Sequence, residues 1–294
     1  MSGHNEIAAL VRLLDDPDEN IFDQIKEKLM EIGSECIPSL EKARFEDNYG
    51  DLFISRAEHL IHDIGFETLK KDHEKWLKLP VKLIDGVIQI DQYFFPNVTA
   101  SFIKHEINEM IKDIQPYIHL NMTPIEKVKL INQVIYEIYK VKGDKKNYHD
   151  PKNSSFGHLL QHKRGNPLTI SMLYIELARQ LNLPIKGVNL PNHFIVGYLK
   201  DNALLNTGTS YKREDILFYI NPFSKGVTLK HSDIDDFLKE IRLDYNEYYF
   251  IPCDHKDITK RMLTNLIYSY RKSDNTQIKN DLKSILELYK LWML

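Results

Sequence analysis

The run Arg164-Gly165-Asn166-Pro167-Leu168 fixes where a central helix of this chain has to begin. Asparagine is a favoured N-cap because its side-chain oxygen takes an N–H that would otherwise be orphaned. Proline is favoured at the first helical position because its missing N–H would have had no partner there. The spacing predicts a helix that starts at Pro167 and ends near Asn182-Leu183-Pro184. Ile170, Leu173, Tyr174 and Leu177 form an apolar face, so this helix has to be buried on one side.

Around it the pattern changes twice. From Ile185 the chain shows short apolar runs between turn residues: Ile185–Leu190, Phe194–Leu199, Ala203–Leu205 and Ile216–Ile220. These read as strands. On the N-terminal side the periodicity is helical. Ile7, Leu10, Val11 and Leu14 precede Asp15-Asp16-Pro17-Asp18, which stops a first helix. Ile21, Ile25, Leu29 and Ile32 line a second that Gly33 ends, and Ile37-Pro38 begins a third. Leu52 to Leu77 give one or two more. After Val87-Ile88-Gln89-Ile90 and a break at Phe94-Phe95-Pro96, helices are expected from about Thr99 to Ile118 and from a Thr123 cap with Pro124 in the first turn. The tail, with Leu263, Leu266, Ile267 and Tyr270 and then Leu282, Ile285, Leu286 and Leu288, returns to helix. The expected fold is α+β: a central helix packed on a small antiparallel sheet, with helical flanks. The divisions read as a helical arm over 1–78, resembling a HEAT repeat, a core over 79–250, and a helical hairpin over 251–294, resembling a tetratricopeptide unit.

Composition narrows the function classes. A net charge of −3 with lysines spread among acids, as in Lys26-Glu27-Lys28, gives no basic stripe for nucleic acid. No apolar run is long enough to span a bilayer, and the N-terminus has no basic and apolar leader. Two cysteines, Cys36 and Cys253, are too few for a disulfide framework. The expectation is a cytoplasmic protein without a cofactor, acting on or with a protein or peptide partner.

Several short motifs then converge. Asn153-Ser154, Arg164-Gly165-Asn166-Pro167, Leu183-Pro184, Gly187-Val188-Asn189, Pro191-x-His193-Phe194 and Asn221-Pro222-Phe223-x-x-Gly226 together resemble the SirB-type branch of the transglutaminase-like, papain-type superfamily. The resemblance covers roughly residues 80–250 and is sharpest over 153–226. In active members a cysteine sits at a helix N-terminus, where the dipole favours thiolate, a histidine opens a neighbouring strand, and an Asp or Asn orients it. Counted back from Leu183-Pro184, the resemblance puts the cysteine position on Pro167. A slip of one gives Asn166 or Leu168, and none of the three is a nucleophile. It puts the histidine on His193 and the orienting group on Asn221, with Asn206 as its rival. Asn166, Ser171, Asn192 and Asn206 are expected to line the cleft.

Each candidate has a plainer reading. His193 is a relic or binding group, or a histidine that closes a strand end. Ser171, one turn beyond Pro167, would be a displaced nucleophile, but a buried serine commonly bonds back to the helix backbone. His158 and His162, with His149 or His193, supply only part of a metal site, and no His-Glu-x-x-His is present, so no metal is expected. Cys253 and Cys36 read as packed thiols, and of the two only Cys253 has a second reading, as a relocated nucleophile near His193. Three functions stay open: a transglutaminase-like protein that binds without catalysis, an enzyme of altered chemistry with His193 as general base, and a helical adaptor with no ligand in its core.

Overall fold

The computed structural model describes residues 2–45, 49–147, 149–201 and 211–292. The chain divides into two compact units, Met1–Lys75 and Trp76–Leu294.

The first unit contains α1 (Ser2–Arg12), α2 (Glu19–Ile32), α3 (Ile37–Arg44) and most of α4 (Asp51–Lys78). The stretch expected to hold one or two helices is thus a single helix of 28 residues. Asp18 caps α2 by accepting the Asn20 N–H, and Gly33 ends it at φ 75°, a value that favours glycine. Leu14, Leu29, Leu40, Phe53 and Leu60 form the buried centre. Arg56, nearly fully buried, holds the first turn together. Its guanidinium donates to the carbonyls of Leu14 at 3.0 Å and Asp16 at 2.5 Å, and to Glu19 at 2.8 Å. It also lies over the Phe22 ring at 4.2 Å. One cation there satisfies carbonyls that a helix end leaves without partners.

The second unit is α+β. Its first helices are α5 (Leu83–Phe94), α6 (Ala100–Ile114) and α7 (Pro124–Asn132). Thr123 and Glu126 form a reciprocal capping box at the start of α7, on the expected residues. A π-helical stretch, Gln133–Ile138, extends it. Two-residue strands β1 (Lys142–Gly143) and β2 (Arg164–Gly165) pair in parallel on either side of α8 (Phe156–His162). Then comes α9 (Pro167–Gln180), which starts on the predicted proline.

A four-stranded antiparallel sheet follows, in the order β3 (Ile185–Val188), β4 (Ile195–Leu199), β5 (Ile216–Asn221) and β6 (Val227–Leu229). All of β4 is buried. Ile195 and Leu199 share a cluster with Val188, Tyr219, and Ile234 and Leu238 of α10 (His231–Glu240). Helix α9 packs against β3 and β4. Helices α11 (His255–Tyr270) and α12 (Thr276–Leu288) close the unit, with α11 against α5, α9 and the turn Pro151–Ser154. Strand β6 and helix α10 are additions to the expected pattern. The run expected as a strand at Ala203–Leu205 lies outside the described residues. Among the described residues no helix is long and apolar enough to cross a membrane.

Asp91 joins α5 to α8. Its Oδ2 accepts the Gly157 N–H at 2.6 Å, while Oδ1 has no partner among the described residues. Full burial raises its pKa to about 7, against the lowering effect of hydrogen bonds from Gly157, Ser155 and Phe156. The folded pKa lies above the unfolded one, so this contribution to stability is complete below the unfolded pKa and is lost as pH rises through about 7. Chemical denaturation at pH 6 and pH 8 should show a loss of roughly 1 kcal/mol from this group. In Asp91→Asn that part of the slope should vanish. Equal slopes in the two proteins would show that Asp91 does not titrate in this range.

Candidate functional site

The head of α9 is assembled from side chains that hold each other. Asn166 is its N-cap: Oδ1 accepts the Thr169 N–H at 2.9 Å, and Nδ2 donates to Ser154 Oγ at 3.1 Å. Thr169 answers by accepting the Asn166 N–H at 3.0 Å, and its hydroxyl reaches the Asn153 carbonyl at 3.1 Å. Gly165 has no room for a Cβ, because the Thr169 hydroxyl occupies that space. Asn166 and Pro167 are both buried. Ser171 is fully buried, and its hydroxyl donates to the Phe194 carbonyl at 3.3 Å. It ties α9 to the start of β4 instead of bonding back to the backbone of its own helix.

A second set of contacts positions the turn after β5. Tyr174 of α9 donates to Asn132 Oδ1 at 3.0 Å, and Asn132 Nδ2 donates to the Gly226 carbonyl at 3.0 Å. Gly226 sits at φ 70°, and the Asn132 side chain fills the space a Cβ would need. Tyr136 donates to the Pro222 carbonyl at 2.7 Å. Inside this braced turn Asn221 Oδ1 accepts the Ser224 N–H at 3.2 Å. That bond assigns the amide's orientation: its nitrogen, not its oxygen, is turned to His193.

Asn221 Nδ2 lies 3.4 Å from His193 Nε2. With the amide nitrogen as donor, Nε2 is the acceptor and the neutral ring carries its proton on Nδ1. His193 is half-buried, with its ring 6.0 Å from that of Phe237. Burial, and then the Arg261 charge, lower its pKa below the usual imidazole value, which keeps the ring neutral. The structure therefore brings His193 and Asn221 together. Asn206 lies outside the described residues.

Beside the head of α9 is a cavity of about 320 Å³. Ser154, Asn166 and Asn192 line one side, with His149 at its edge. The other side is a polar stripe of α11: Arg261, Asn265, Tyr268 and Ser269. Sequence reading overlooked this stripe because it followed only the apolar positions of the helix. The signal was present as polar residues at i, i+4, i+7 and i+8, a stripe that adjoins the buried Ile258, Met262 and Leu266. Arg261 donates to Asn189 Oδ1 at 3.3 Å.

The matching of residues 101–264 to the family model described as Transglutaminase-like superfamily decides the family. The chain belongs to the transglutaminase-like superfamily. The matched segment includes Pro167, His193, Asn221 and Arg261, and ends just before Asn265. A UPF0162 protein of Xylella fastidiosa is 25% identical over 202 residues, which are 67% of this chain and 66% of the relative. F-box only protein 21 of Mus musculus is 24% identical over 263 residues, 81% of this chain and 39% of the relative. The chain thus spans just under two thirds of the bacterial relative and about two fifths of the mouse one. No solved structure gives a match.

The remaining candidates of this transglutaminase-like chain sit elsewhere. The His158 and His162 rings lie 4.1 Å apart and line a second cavity, of about 560 Å³, with Phe94, Pro96 and Tyr270. Burial and then the His162 charge lower the His158 pKa. Among the described residues no three His, Cys, Asp or Glu side chains converge as a metal site. Cys253 donates its N–H to the Gly187 carbonyl at 2.9 Å, beside β3. Burial pushes its thiol far up, and Asp257 and Asp254 add to this, the opposite of what a nucleophile needs. Cys36 is buried in the first unit, with its thiol 3.0 Å from the Gly33 carbonyl.

The orientation of Asn221 has a measurable consequence. In Asn221→Asp, an ionised carboxylate would accept a hydrogen bond from Nε2–H and favour the charged ring. The His193 pKa should rise by about one pH unit or more relative to wild type, followed through the imidazole C–H resonances by NMR. An unchanged titration would mean that the two side chains do not interact.

Proposed function

We propose that this transglutaminase-like chain lacks the superfamily's catalytic cysteine and works by binding a protein or peptide at the head of α9. The observation that carries the reading is Pro167, which occupies the first position of α9. A cysteine there would gain thiolate character from the helix dipole, and a proline has no group to attack with. Thioester acyl transfer then has no nucleophile, and the surroundings of Cys253 and Cys36 offer no replacement. Free thiols in both places suit a reducing, cytoplasmic setting.

A second reading, with His193 as a general base on water or a substrate hydroxyl, draws on the lowered pKa of a ring that stays neutral at pH 7. The hydrogen bonding argues against it. A base needs a ring nitrogen whose lone pair faces the substrate. With the amide orientation assigned from the Ser224 bond, the Nε2 lone pair accepts from Asn221 and the ring proton is assigned to Nδ1.

Ester and amide probes separate the two. Wild type and His193→Ala, matched by circular dichroism, should give identical traces, both at the rate of buffer. Turnover in wild type that His193→Ala loses would overturn the binding reading in favour of the base. Iodoacetamide at pH 7 should modify wild type no faster than it modifies a free thiol of ordinary pKa. Faster labelling of Cys253 would reinstate a reactive thiol.

A further inference from the structure

The cavity beside the head of α9 carries hydrogen-bonding capacity that the protein itself does not use. Two of its polar side chains are already engaged. The Arg261 guanidinium donates to Asn189 Oδ1 at 3.3 Å, and the Ser269 hydroxyl donates to the Asn265 carbonyl at 2.9 Å. The unused capacity lies in neutral groups. Asn192, in the turn before β4, and Asn265, on α11, both line the cavity, and the side-chain amide of neither has a partner among the described residues. Ser154 is the buried member of the set: it lines the cavity and is 2% exposed. Its oxygen accepts the Asn166 Nδ2 N–H at 3.1 Å, while its own proton has no acceptor among the described residues. A hydroxyl can donate as well as accept, so a buried donor is left over at the cavity wall.

Neutral groups of this kind match a peptide main chain. One asparagine amide presents an N–H and a C=O side by side in one plane. A residue in an extended segment presents its own C=O and N–H along one edge, so the two can close a pair of hydrogen bonds. The Ser154 hydroxyl adds a donor for a further carbonyl. A sugar offers similar hydrogen bonds but binds best against an open aromatic face. Here the Tyr268 ring is already in contact with the Arg271 guanidinium, 4.1 Å from its centre, and with the His149 ring at 5.1 Å. A cavity of about 320 Å³ is at the lower end of the range for ligand sites, which suits a short stretch of main chain. The family match ends at residue 264, so Asn265 and Tyr268 lie beyond it, and this wall is not part of the matched core.

We propose that the cavity between the head of α9 and the polar face of α11 holds the main chain of an extended, uncharged peptide segment, read by the amides of Asn192 and Asn265 and the hydroxyl of Ser154. Main-chain recognition tolerates different side chains. The inference rests on the binding reading above and states how that binding is made.

The test titrates the full chain, by NMR and calorimetry, with N-acetyl-trialanine N-methylamide, its triserine equivalent, trialanine peptides methylated at each peptide nitrogen in turn, and maltose. The two unmodified peptides should bind saturably and with similar affinity. Methylation of at least one nitrogen should weaken binding by about fivefold or more, the loss of one neutral hydrogen bond. Asn265→Ala and Asn192→Gly should each weaken the unmodified peptides by about as much. Neither substitution removes a bond of the folded protein. The Asn265 carbonyl that holds Ser269 is backbone, and Asn192 sits at φ 57°, which glycine adopts without strain. Melting temperatures should therefore stay close to that of wild type. Absence of saturable binding, meaning a cavity that holds solvent alone, would overturn the site. So would binding of only one of the two peptides, indifference to methylation at every nitrogen, indifference to both variants, or tighter binding of maltose than of either peptide. Failure here with inert ester and amide traces removes only this mode of recognition. Turnover that depends on His193 removes the binding reading itself, whatever the titrations give.

Discussion

The bond from the Thr169 N–H to Asn166 Oδ1 is the contact on which the functional region depends. It sets the first turn of α9. Its reciprocal partner, the Asn166 N–H to the Thr169 hydroxyl, fixes the chain that enters the helix. The same two side chains reach Ser154 and Asn153, so the preceding turn is locked to the helix head. All four residues are buried, where an unmade hydrogen bond costs about 1–3 kcal/mol. The wall that Asn166 and Ser154 give the cavity is therefore stiff. A ligand held there would pay little to order it.

Much of this region is legible in the residue order because it is local chemistry. Asn166 before Pro167, Thr123 before Pro124 and Gly33 after Ile32 each mark a helix end through a rule that spans only a few positions. The strands Ile185–Val188, Ile195–Leu199 and Ile216–Asn221 were equally readable as apolar runs between turn residues. What local rules do not reach is partnership across the sequence. Strand β6 has only Val227, Thr228 and Leu229, two of them exposed, and it exists because β5 offers it an edge. Helix α10 is short and mixed in composition. It is held by Ile234 and Leu238 in a cluster that includes Val188 of β3 and Ile195 and Leu199 of β4, more than thirty residues earlier in the sequence.

The same distinction divides the site. His193 and Asn221 were legible from motifs, and they meet at 3.4 Å. The α11 stripe was not, because polar residues on a helix ordinarily face water, and nothing within α11 says that this face meets the head of α9. Asp91 was missed for a related reason. An aspartate inside the apolar run Ile88 to Phe94 gives no local sign that it reaches the first turn of α8, 66 residues away in sequence. In each case a polar group sits where hydrophobic patterning alone would place none. Such departures from local consistency are where function or strain concentrates.

The orientation of Asn221 bears on the proposed reading of Pro167 as standing at the nucleophile position. A thiol enzyme needs one imidazole nitrogen to take the thiol proton and the other to donate to an orienting oxygen. Here the oxygen of Asn221 is committed to the Ser224 N–H, so the ring meets an N–H instead. In that assignment Nε2 accepts from Asn221 at 3.4 Å and the ring proton is on Nδ1. The turn that enforces this is braced from a distance, through Asn132 on Gly226 and Tyr136 on Pro222. A cysteine substituted for Pro167 would thus find its base turned the wrong way. On the proposed binding reading, the departure from acyl-transfer chemistry involves the geometry of the β5–β6 turn as well as the head of α9, and the two would have to change together to restore it.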